Sequence, residues 1–141
     1  MNLKTLYATL AAFVIFFFLG WLVYGVLLMG FYENNMFNCE GLTKDPPNYI
    51  LLIVANLIWS FFFVFILQRW AKITDFGKGF IAGLIIGFLV LLAFDLQSMA
   101  FMNLFNVQLF IVDLVVSTIL AGIAGGVIGW ILGAGMKKET T

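Results

Sequence analysis

An all-α membrane protein, a bundle of four transmembrane helices with both termini cytoplasmic, is the fold class this sequence of 141 residues predicts. Three observations lead there. First, 64% of the residues are hydrophobic and only 10% charged, with a mean hydropathy of +1.12. Soluble domains keep about a quarter of their residues charged, so this chain cannot cover itself with polar surface. Second, four apolar runs each approach or exceed the ~20 residues that a helix needs to cross the hydrocarbon core. Third, the cationic side chains fall almost entirely on one side of those runs.

The first run covers about residues 6–31. It is longer than the ~7–15 apolar residues of a signal peptide, and Trp21, Tyr24 and Phe31 occupy the end where small residues would mark cleavage. It therefore reads as an uncleaved span. The second, 49–70, comes after Pro46-Pro47, which cannot continue a helix and so mark its start. The third covers 79–102 and the fourth 109–135. All four are too long for barrel strands and lack the alternation of one lipid-facing and one lumen-facing residue. Together they nearly use up the chain, so residues 1–141 form one transmembrane domain.

Orientation is set by Lys and Arg in the short loops, which stay cytoplasmic. Lys4 precedes the first span, Arg69, Lys72 and Lys78 lie between the second and third, and Lys137 and Lys138 come after the fourth. Only Lys44 lies on the other side, beside Glu33, Glu40 and Asp45. Tyr7, Trp70 and Trp130 fall at the inner interface, and Tyr32 and Tyr49 at the outer one, as an aromatic belt places them.

Lipid is as apolar as leucine, so spans associate through close packing and hydrogen bonds. Gly79, Gly83 and Gly87, spaced by four, form a packing stripe on the third span. Gly122 and Gly126 do the same on the fourth, with Gly125, Gly129 and Gly133 offset from them as further packing positions. Gly20, Gly25 and Gly30 drift around the first span and make a weaker stripe. The phenylalanine runs Phe16–Phe18 and Phe61–Phe63 read as lipid contact and packing rather than a ligand box.

Ionisable groups inside a membrane are expensive and mark candidate sites. Asp95 and Asp113 are two such groups, and no Lys, Arg or His lies at their depth. At about 1.5 Å per residue, Asp95 lies ~10 Å and Asp113 ~6 Å below the outer ends of their spans. Tyr24 and Asn56 reach a similar depth, with Ser60, Ser98 and Ser117 nearby. Ser98 shares a face with Asp95 and Ser117 with Asp113. Each span thus offers a polar group in the outer leaflet. The pattern has two readings: an interhelical hydrogen-bond network, or a small outward-facing cavity that takes up a proton or cation.

An aspartyl-protease-like pair of Asp95 with Asp113 is conceivable, though no supporting motif flanks either residue; other chemistries lack their residues. The chain has no histidine and one cysteine, Cys39, so no Ser-His-Asp or Cys-His arrangement exists and no cluster for zinc, haem or iron–sulfur. No intrachain disulfide can form. Zero net charge without a basic stripe excludes nucleic-acid binding as the main task. No cofactor is expected.

The residues Ala11-Ala12-Phe13-Val14, Gly20-Trp21, Tyr24-Gly25, Leu109-Phe110-Ile111-Val112-Asp113 and Gly129-Trp130 resemble an uncharacterised bacterial four-helix membrane family, domain of unknown function seventeen-sixty-one. The chain departs from that pattern where a Gly-Tyr-His run is expected and Leu114-Val115-Val116 stands. The resemblance implies a bacterial inner membrane and brings no activity with it. The residues themselves point to a small non-enzymatic membrane protein, an accessory or scaffold subunit partnered by its own copies or by another membrane protein. The alternative is a small oligomeric transporter or channel built around Asp95.

Overall fold

The structure is a computed structural model that describes residues 3–37, 40, 41, 44, 46–103 and 105–134. Cys39, Asp45, Gly135, Lys137 and Lys138 lie outside the described residues. Helix α1 is Leu3–Leu27, continued after a break by the short α2, Met29–Asn35; α3 is Tyr49–Trp70, α4 is Phe76–Phe101 and α5 is Val107–Gly133. All but α2 are long and apolar enough to cross a membrane. Their outward faces are bare apolar side chains: Ile50, Phe94 and Phe101 are 70% exposed or more. Surfaces of that kind belong against lipid.

Capping residues set where the helices begin. Asn48 accepts from the Leu51 amide, Asp75 from Lys78 and Asn106 from Leu109. In each case a side-chain oxygen occupies one of the amides that a helix start leaves unpaired. These caps start α4 at Phe76 and α5 at Val107, earlier than the apolar runs alone suggest.

Helix α1 is not regular. Ile15–Leu19 and Val23–Leu27 are π turns, and Leu28 leaves helical geometry at φ −106° before α2 resumes. A third π turn, Ile66–Trp70, ends α3. Each π turn admits an extra residue and rotates the next stretch of helix about its axis.

The bundle is built on the antiparallel pair α4–α5. Gly79 lies under the carbonyl of Gly125, Gly83 under that of Ala121, and Gly87 against the Ala121 methyl. A Cβ at Gly79 or Gly83 would meet backbone, so only glycine permits this approach. On the facing helix, Gly125 meets the Gly79 carbonyl, while Gly122 and Gly126 receive Leu84, Phe80 and Phe76. Gly129 and Gly133 seat the connection at Ile73–Asp75. By contrast, Gly20 and Gly30 have open space beside them.

The first half of α1 packs on α3 and α5 through Ala8 and Ala12, which join Phe63, Val64, Leu67 and Ile128 in the core. At this end Thr5 donates to Gln68 at 2.8 Å. Lys4, Lys72, Thr74 and Leu132 border one hollow there, so the start of α1, the α3–α4 connection and the end of α5 share one end of the bundle.

Candidate functional site

At the opposite end the polar groups meet. Asp95 lies four residues beyond Leu91 and eight beyond Gly87, on the continuation of the glycine ridge facing α5. It is nine-tenths buried. With α5 starting at Val107, Asp113 lies ~9 Å from the helix end at about 1.5 Å per residue, deeper than the sequence suggested. Asp95 lies at a matching depth, and Asp113 is within Coulombic reach of it. The Asp95 Oδ2 atom has no hydrogen-bond partner among the described residues, and neither does Thr118 Oγ1.

Two tyrosines close this end. Tyr32 donates its hydroxyl to Asp113 Oδ1, and the Tyr24 hydroxyl is hydrogen-bonded to Ser117 Oγ. The two rings sit edge to face with centroids 5.4 Å apart. Burial pushes the Tyr32 phenol above its ordinary value and the bond to Asp113 pushes it the same way, so Tyr32 stays a neutral donor. Below α2, Asn106 Nδ2 donates to Asn35 Oδ1 at 2.6 Å. Met36 bridges Phe105. Three side-chain pairs thus tie the outer part of α1 and α2 to α5.

Tyr32 is the main correction to the sequence reading, which set it in the outer aromatic belt. Tyr24 and Tyr32 are eight residues apart, roughly 80° around a regular helix. The π turn at Val23–Leu27 and the break at Leu28 both change that phase, and the two rings meet on one side of the bundle, edge to face. Asn35 and Asn106 were also missed. For Asn106 a signal existed, the cap spacing to Leu109.

The remaining candidates divide. Asn56 donates to the Leu52 carbonyl, and Ser60, fully buried, donates to that of Asn56. Ser98 donates to the Phe94 carbonyl at 2.9 Å. Both serines therefore satisfy their own helices, and Ser98 does not join Asp95. Tyr24, Asn56 and Ser117 line a common cavity of about 430 Å³ between α1, α3 and α5. Neither aspartate lines it. Phe16, Phe17, Trp21, Tyr49 and Trp59 supply aromatic walls, so part of the first phenylalanine run faces a cavity as well as lipid. The cavity exists because α1 and α3 converge below it, where Phe16 meets Phe63 at 5.3 Å, and part above it.

Among the described residues no group of three acidic, histidine or cysteine side chains is placed to hold a metal. The arrangement has hydroxyl donors, an amide and two carboxylates, which suit hydrogen bonding, proton uptake or the attraction of a cation.

No curated protein and no solved structure matches the chain. A family model does match, and it is not that of domain of unknown function seventeen-sixty-one. Apolar spans resemble one another across families. The matched family is of the same kind but bears a different number. The match covers residues 5–131, all four spans short of the last turn of α5, and the chain belongs to this family, described as Predicted membrane protein (DUF2177).

Proposed function

We propose that the chain is a non-enzymatic accessory or scaffold subunit of a bacterial inner membrane, with both termini cytoplasmic, associated with its own copies or with another membrane protein. One observation supports this above the others: the polar groups of the spans answer one another. Tyr24 meets Ser117, Tyr32 meets Asp113 and Thr5 meets Gln68. Groups spent on holding helices together are not free for chemistry on a substrate. The orientation is supported by Lys4 and Lys72, which share the hollow at the end where α1 begins and α5 finishes.

Native mass spectrometry of the full chain from native membrane patches tests the reading. The expected result is particles holding several copies or a second membrane protein. Single chains without a protein partner would contradict it.

A second reading, a small oligomeric transporter or channel, is favoured by the unpartnered Asp95 Oδ2. A buried carboxylate oxygen left unpaired is costly and calls for a purpose. In that case Asp95→Asn folds normally and loses proton-dependent uptake. Under the scaffold reading Asp95→Asn is silent, and Asp95→Leu lowers thermal stability.

A further inference from the structure

The cavity between α1, α3 and α5 is a site in its own right, independent of Asp95 and of any subunit role. It is a half-open cleft. Its floor is a packed aromatic cluster in which Trp59 stands 6.4 Å from Phe16, 5.3 Å from Phe62 and 5.2 Å from Phe63. Its rim is exposed: Trp21 is 61% and Tyr49 58% exposed. At about 430 Å³ it falls within the ~300–1,000 Å³ usual for small-molecule pockets. A transmembrane helix, about 10–12 Å across with its side chains, needs a groove that continues down the bundle. Here α1 and α3 close together at Phe16 and Phe63, so the space suits a compact molecule better than a helix.

The walls select the charge of that molecule. Trp21, Tyr24, Tyr49 and Trp59 line the cavity, and an aromatic ring attracts a cation that approaches its face within about 6 Å of the centroid. Asp113 lies behind the Tyr24–Tyr32 pair, accepting the Tyr32 hydroxyl, and Tyr32 in turn sits edge to face with Tyr24. No Lys or Arg lines the cavity. Asn56 and Ser117 add polar atoms at the wall. Aromatic faces backed by a carboxylate attract positive charge and repel an anionic lipid headgroup. We propose that this cleft binds a lipophilic organic cation, entering from the outer leaflet between α1 and α3.

The test uses two probes of the same shape and opposite charge, tetraphenylphosphonium and tetraphenylborate. Binding to the purified full-length protein in an uncharged detergent is monitored by quenching of tryptophan fluorescence. The expected result is saturable binding of tetraphenylphosphonium, with tetraphenylborate at least about tenfold weaker, a gap near 1.4 kcal/mol. Asp113→Asn, which keeps an acceptor for Tyr32, should erase most of that preference. Trp21→Ala, at the exposed rim, should weaken the cation severalfold without altering the helical circular dichroism. Equal binding of both ions, or saturable binding of neither, would mean that an uncharged lipid chain or a neighbouring copy fills the cleft, and would overturn the proposal. A folded Asp113→Asn that keeps the full preference would also overturn it. Should Asp113→Asn lose its fold, unchanged cation affinity in Trp21→Ala decides against the site.

Discussion

Tyr24 and Tyr32 do the most work for their size. Each spans the gap between the outer part of the first span and α5 with one hydroxyl, and each meets a group that would otherwise be left polar in an apolar setting. Hydrogen bonds between membrane helices average about 0.6 kcal/mol and reach ~1.7 kcal/mol. A double-mutant cycle of Tyr24→Phe with Ser117→Ala should therefore show a coupling of roughly that size by chemical or thermal unfolding in detergent. Zero coupling would mean the pair is not formed. Tyr32→Phe should cost more, ~1–3 kcal/mol, because it strands a carboxylate oxygen rather than a hydroxyl. Depth along a helix singled out Tyr24, Asn56, Asp95, Asp113 and Ser117 in the sequence, but not how they divide: Tyr24 pairs with Ser117, Asn56 bonds its own helix, and the aspartates lie outside the cavity. The partner of Tyr32 was not legible, because depth arithmetic assumes one regular helix, and a π turn at Val23–Leu27 and a break at Leu28 come before it.

The helices differ in how far their sequences specify them. The α4–α5 pair was legible because glycines spaced by four allow one thing above all, close approach of backbones. Their consequences differ by position. At Gly83 a methyl would collide with the Ala121 carbonyl and lie 3.1 Å from the Gly122 Cα, so Gly83→Ala must push two backbones apart. That overpacking should cost about 1–3 kcal/mol. Gly126 faces the edge of the Phe76 ring at 2.7 Å, which can turn aside, so Gly126→Ala should cost less. At Gly20 nothing stands within 4 Å and the backbone is helical at φ −58°, so Gly20→Ala should be neutral or stabilising by up to ~1 kcal/mol. Melting temperatures of the three variants check this order, and equal losses at Gly20 and Gly83 would refute the packing assignment. Helix starts were less legible. Asp75 and Asn106 cap their helices from outside the apolar runs, so hydropathy alone begins both helices late.

At the scale of the whole molecule, the fold class was the most secure reading, because composition and span length leave so few alternatives in lipid. Four spans give an even number of crossings, and the structure sets the start of α1 and the end of α5 at one end of the bundle. The tyrosines, the two aspartates and the aromatic cleft lie toward the other. The proposed cytoplasmic termini and a cation site entered from the outer leaflet both require that second end on the non-cytosolic side. Impermeant maleimide labelling of intact cells, in a Cys39→Ser background, tests this directly with Lys44→Cys and Thr74→Cys, both at exposed positions. Labelling is predicted at position 44 in intact cells and at position 74 only after lysis. The reverse pattern, or labelling of both from outside, would contradict it.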